Sequence, residues 1–195
     1  MAFDFSTAEQ IDEIEHRYNP VPTVEKFHLH PGQMRCIVGP VGSGKTTGAT
    51  WDVCRFIPEF LAQHWGYKKS RWVIVRNTYD ELIDTTQATV FEWFDWGDYR
   101  VQRKILTLFH HDLGGYEVEV LFRSCDNPKD VKKFKSLEIT GYWIDESIEV
   151  AQDIKKMLKN RIGRYPKPLC FRRRSKGAAL RQALQGAPSI YGRPL

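Results

Sequence analysis

At 195 residues, with 42% hydrophobic residues, the chain has room for one domain with a proper core and none for a second large one. Four scattered cysteines, Cys36, Cys54, Cys125 and Cys170, have neither paired spacing nor nearby histidines, which excludes a disulfide framework and an ordinary zinc site and points to a reducing, intracellular setting. The net charge of +5 arises in the tail: no acid follows Asp153, and from Arg161 onward nine of the 29 basic residues meet no acidic one, so the basic pI says little about the folded part.

The first twenty residues predict a short helix around 7–16, after which YNPVPTVEKFHLHPG predicts an extended surface path because of its prolines. Met34 to Val38 (MRCIV) is a short apolar run ending in glycine and predicts a buried parallel strand. A glycine-rich loop follows, then a helix from Thr46 to Phe56 that Pro58 should end. Trp72 to Val75 predicts a second strand and Asp80 to Trp93 a helix. Two runs, Lys104 to Phe109 and Tyr116 to Phe122, flank HHDLGG and predict a β-hairpin. Leu137 to Ile144 is a further strand candidate, interrupted by Thr140 and Gly141, and Ser147 to Asn160 predicts a helix. Strands alternating with helices give an α/β layered domain with a mainly parallel sheet. From Arg164 on, proline, glycine, arginine and alanine mix without strand periodicity. The expected division is therefore a folded domain at 1–163 and an irregular, basic, poorly ordered tail at 164–195. No apolar run approaches the roughly 18 residues of a membrane span and no signal segment is present, so a soluble, unexported protein is expected.

The chemistry starts at GPVGSGKT. Gly39, Pro40, Val41, Gly42, Ser43, Gly44, Lys45, Thr46 and Thr47 follow the P-loop (Walker A) spacing. Glycines let successive N–H groups turn inward around phosphate oxygens at a helix N-terminus, where the dipole favours negative charge. In that pattern Lys45 reaches the β- and γ-phosphates and the Thr46 hydroxyl ligates Mg²⁺. The required acids stand at the end of EITGYWIDES. Asp145 is the candidate for holding Mg²⁺ with Thr46, and Glu146 for activating the attacking water, because the carboxyl ends of strands are where ligands sit in open α/β sheets. Taken alone, such a pair reads as a helix N-cap with a first-turn acid. No NKxD sequence occurs, so ATP is expected over GTP.

Three segments, RNTYDELIDTTQATVFEWF (76–94), DNPKDVKKFKSLEITGYWIDES (126–147) and NRIGRYP (160–166), together with the P-loop, resemble the ATPase domain of tailed-bacteriophage large terminase subunits over roughly residues 18–166. The resemblance implies a RecA-like P-loop NTPase fold of three layers with a β-hairpin insertion, an ATPase using ATP and Mg²⁺, and Lys45 and Glu146 as catalytic residues. It implies double-stranded DNA as the translocated polymer and a homo-oligomeric ring at the portal protein of a procapsid in the host cytoplasm. A small terminase subunit would be a further partner, and no membrane is involved. It likens Tyr18, Pro20, Pro22 and Phe27 to the stretch flanking adenine, leaves the role of Arg76 open, and offers Arg123, Arg161 and Arg164 as arginines acting on a neighbour. Terminases of this kind continue into a coupling strand and a metal nuclease domain, which this sequence does not carry, so a truncated ATPase-only form is expected. Two other functions compete: a nucleotide-binding assembly module with little turnover, and a P-loop kinase. His110, His111 and Asp112 are expected on a solvated turn, and the aromatic run 91–99 in packing.

Overall fold

The computed structural model describes residues 18–30, 32–126 and 130–166; the helix expected at 7–16 and most of the tail lie outside them. The prolines of the first described segment start a helix instead of holding the chain extended. Pro22 sits in the first turn, where its missing N–H has no partner to lose and its fixed φ suits the helix, and α1 runs Pro22–His28.

The glycine-rich loop leads into α2 (Lys45–Trp51), which continues through a π-helical turn (Asp52–Phe56) into α3 (Ile57–Trp65), closed by Gly66 in the left-handed conformation. Pro58 therefore does not end the helix as expected. It has no N–H for the Cys54 carbonyl four residues back, and His110 Nε2 supplies that donor from the hairpin at 2.9 Å. A second helix follows the same plan. Thr78 caps it by accepting the Glu81 N–H, and α4 (Tyr79–Glu81) passes through a π-helical turn (Leu82–Gln87) into α5 (Ala88–Trp93).

Five strands form one sheet in the order β2-β3-β4-β1-β5. β1 (Lys69–Arg76), β4 (Tyr116–Ser124) and β5 (Gly141–Ile144) run parallel, while β2 (Asp98–Arg100) and β3 (Ile105–His110) extend the sheet antiparallel beyond β4. The hairpin is where the sequence put it; the short β2 had no pattern of its own to announce it. Parallel strands need both faces covered, and β1 is apolar on both. Its Trp72 and Ile74 join Val118, Val120, Phe122, Trp51 and Phe94 on one side. Val73 and Val75 join Leu121, Phe134, Ile154 and Leu158 on the other, under α6 (Val131–Lys135) and α7 (Gln152–Lys159). The result is three layers, helices on both faces of the sheet.

β5 is shorter than expected for a physical reason. Gly141 stands opposite Trp72 in the β1–β5 register, and a Cβ on it would lie 2.2 Å from the Trp72 ring. Thr140 turns its hydroxyl to the backbone, accepting the Arg71 N–H and donating to the Tyr165 carbonyl, both at 2.9 Å. The two residues that interrupt the apolar run are the ones that seat it.

One expected strand is missing. Among the described residues Met34 to Val38 has no ladder partner, and it is exposed at Met34 (66%) and Val38 (85%). It is tethered by a side chain: Arg35 donates to the carbonyls of Phe27 and His28 at 3.1 Å each and pairs with Asp52 at 2.7 Å. β5, the strand at that end of the sheet, begins beside a bridge between Ile139 and Ile162, and a cleft separates the rest of it from the 34–38 segment.

Candidate active site

Gly42 and Gly44 both take positive φ, 78° and 77°, the conformation that glycine adopts without penalty. Between them the loop folds on itself: Ser43 Oγ donates to the Pro40 carbonyl at 2.8 Å, and Lys45 Nζ donates to the carbonyls of Gly39 and Pro40 at 2.8 and 2.7 Å. A Cβ on Gly39 would lie 2.9 Å from Ser43 Oγ, so a side chain there would displace the Ser43 hydroxyl from the loop. Pro40, Val41 and Gly42 stand at the exposed tip, and Thr46 and Thr47 occupy the first turn of α2 half-buried. The donor set, glycine N–H groups, one ammonium and two hydroxyls at a helix N-terminus, fits a polyphosphate.

Across the cleft, β5 is followed directly by Asp145 and Glu146. The following residues form turns and α7 starts only at Gln152, so the pair is not the N-cap of a helix. Asp145 is buried and closely held: Arg76 Nη1 and Thr86 Oγ1 donate to its Oδ2 at 2.8 and 2.6 Å, and its N–H donates to the Val75 carbonyl at 2.9 Å. Both side-chain bonds fall on one carboxylate oxygen, leaving Oδ1 out of the pair. Arg76 also donates to Thr85 Oγ1 at 3.1 Å. The structure thus gives Arg76 a partner that its place after a strand did not reveal. It adds Thr85 and Thr86, presented by the π-helical turn, a form often found at functional sites. The only sequence trace of them is the 76–94 segment itself.

Glu146 is exposed and has φ 48°. A side chain with a Cβ pays roughly 1 kcal/mol or more in the left-handed region, and such outliers gather at functional sites.

The loop and the acidic turn face one cleft of about 1120 Å³, lined among others by Gly39, Pro40, Lys45, Asp145, Glu146 and Ser147. Among the described residues no three His, Cys, Asp or Glu side chains converge to hold a metal alone. Of the two residues expected to hold Mg²⁺, Asp145 lines this cleft and Thr46 does not; the donor types, one carboxylate and one hydroxyl with water completing the shell, are those Mg²⁺ takes beside phosphates.

Two other groups fall elsewhere. Tyr18 stacks on Trp51 with ring centroids 4.4 Å apart and bonds His28 Nε2 at 2.7 Å; it packs α1 against α2, whereas Phe27 lines the cleft. His110, expected on a solvated turn, is buried at 1% exposure. Its Nδ1 accepts from Arg55 Nη1 at 3.1 Å, and the same guanidinium nitrogen reaches Asp112 at 2.7 Å and the Tyr116 hydroxyl at 2.6 Å. Burial, then the Arg55 charge, push the His110 pKa down to about 3. It is a neutral link between hairpin and helix, with Asp112 as counter-charge to Arg55.

No protein-family model and no curated protein sequence matches the chain. Among solved structures it is similar to the large terminase from a thermophilic bacteriophage, with a TM-score of 0.57 at 10% identity, over 74% of this chain and 37% of that one. The chain therefore has a terminase-like α/β fold, spanning well under half the length of the structure it resembles.

Proposed function

We propose that residues 1–163 are the ATP-hydrolysing domain of a DNA-packaging motor of the phage large-terminase type, with 164–195 as a basic tail outside it. The observation that carries this is the meeting of the Lys45 loop and the Asp145–Glu146 turn around one cleft. In the reaction the loop N–H groups and Lys45 hold the β- and γ-phosphates, and Glu146 takes a proton from water as its oxygen bonds the γ-phosphorus. The bond to the β-phosphate oxygen breaks and ADP leaves. Mg²⁺, when bound, supplies charge neutralisation between the two phosphates. Asp145 is kept in position by Arg76 and Thr86. DNA translocation, assembly in a ring, and contact with a portal protein and a small subunit in the host cytoplasm belong to the same proposal, by fold likeness and the motifs above.

A second reading is favoured by the unpaired 34–38 segment. A P-loop with no strand behind it among the described residues is anchored by α2 and by the Arg35 contacts of the segment before it, which suits a nucleotide-binding assembly module with slow turnover.

Steady-state ATP hydrolysis with Mg²⁺, with and without long double-stranded DNA, separates the two. The motor reading expects turnover that DNA raises and that Glu146→Ala lowers by about 10²-fold or more with ATP binding retained. The module reading expects tight ATP binding, negligible turnover and no effect of Glu146→Ala. Lys45→Ala should remove ATP binding in both, and survival of that binding would sink the phosphate-loop assignment.

A further inference from the structure

A second cavity, about 440 Å³, opens at the turn between β2 and β3. Gln102, Arg103, Lys104, Arg123, Ser124 and Lys133 line it, over an apolar floor that includes Ile105 and Phe122. Four cations share this cavity, and among the described residues no carboxylate lines it. Lys133 is paired with Asp130 at 2.9 Å. Among the described residues no acidic side chain lies within ion-pair distance of Arg103, Lys104 or Arg123. Lys104, at φ 54°, lays its ammonium over the Tyr79 ring, 3.5 Å from the centroid.

Arg123 is the informative member. It is half-buried, and its Nη1 donates to the carbonyls of Phe122, Arg103 and Lys104 at 2.7, 3.1 and 3.5 Å. All three bonds leave from one nitrogen. Nε and Nη2 of the rigid fork have no protein partner among the described residues, and burial lowers the pKa of the guanidinium. A cation that is partly dehydrated, oriented by the backbone and without a counter-charge is arranged to receive an anion, and its planar fork suits phosphate oxygens.

We infer that this cavity is a contact site for the sugar-phosphate backbone of a nucleic acid, with Arg103, Lys104, Arg123 and Lys133 meeting successive phosphates. A polymer is favoured over one small anion by the spread of the four charges from the half-buried Arg123 to the exposed Arg103 and Lys133, and by the apolar floor between them, which suits sugar faces. The contact carries no base readout, so it is independent of sequence. The inference takes its choice of polymer from the motor reading above. The site lies where β4 ends, on the edge of the sheet where β5 delivers Asp145, with β1 between them.

The test is binding of a fluorescent duplex of about 30 base pairs by the full chain over a range of salt concentrations. Arg103→Gln with Lys133→Gln changes two exposed side chains. It should weaken binding about tenfold or more at low salt and make the log–log salt slope shallower by roughly two. Lys26→Gln with Lys159→Gln, two exposed cations elsewhere, should leave the slope nearly unchanged. Equal losses in both pairs, or no loss in the first, overturn the inference. So does loss of inorganic phosphate or ATP binding in the first pair with duplex binding intact, which would make this a small-anion site. DNA-independent ATP hydrolysis should not change in either pair. A chain that binds duplex through these residues yet never hydrolyses ATP would refute the motor reading and leave this site standing.

Discussion

Gly141 and Glu146, five residues apart, bracket the candidate catalytic end of β5 and are held by opposite demands. Gly141 must have no side chain. A Cβ would drive into the Trp72 ring at 2.2 Å, a buried group with nowhere to move, so Gly141→Ala should cost about 1–3 kcal/mol of stability. Urea denaturation checks it, and an unchanged midpoint would show that Trp72 is not fixed by packing. Glu146 has a side chain where glycine would be easier. Glu146→Gly should leave stability unchanged or raised by up to about 1 kcal/mol, because it relieves a left-handed non-glycine residue, while abolishing turnover. A loss of stability instead would mean that the Glu146 side chain makes contacts that outweigh its strain. Much of this site was legible in the residues themselves: Lys45 and the acids stand at spacings that chemistry dictates. Arg76 and Thr86 were not, because what marks them is contact with Asp145 across 69 and 59 residues of chain, and Thr85 enters only through its bond to Arg76.

At the scale of elements, the helix from Lys45 to Trp65 and the β3–β4 hairpin are joined through His110. Proline inside a helix reads locally as a stop, and nothing near Pro58 signals that a histidine more than 50 residues away will serve the freed carbonyl. That junction has a pH signature. With a folded pKa near 3 against an ordinary value of 6.5, His110 stays neutral when folded and gains a proton on unfolding. The stability is full above about pH 6.5 and falls as pH drops from there toward 3, by roughly 1.4 kcal/mol per unit at most. His110→Gln, which keeps an N–H donor, should flatten that part of the pH profile in chemical denaturation; parallel profiles for the two chains would remove His110 as the cause. α6 illustrates another limit of local reading. Five residues cannot hold a helix alone, and Phe134, fully buried, is its anchor. Phe134→Ala should cost about 3–5 kcal/mol, measured the same way.

For the molecule as a whole, the alternation of strand and helix was enough to predict a sheet covered on both faces, because β1 is apolar without alternation and can lie only in the middle of such a stack. The order of its strands was not readable, since register depends on pairs such as Trp72 and Gly141. The 34–38 run shows the same limit from the other side: a short apolar run satisfies a strand pattern whether or not a ladder partner exists. Its consequence is chemical as well as structural, for Cys36 is exposed there while Cys54 is fully buried, and burial pushes the Cys54 thiol pKa upward. A maleimide should modify Cys36 within minutes in the native protein and reach Cys54 only on unfolding, read by peptide mass mapping. Modification of both at equal rates would contradict the two-core arrangement.

Among the described residues β5 is the last strand of the sheet on its side. A terminal strand offers its outer backbone to any extended chain that comes near, and proteins usually protect such strands with charge, proline or a covering element. Here the neighbouring wall of the cleft presents Met34 and Val38, both exposed. Solubility during expression should therefore depend on this corner more than on the net positive charge. In the terms of protein handling, the place where the sheet stops is where precipitation would begin.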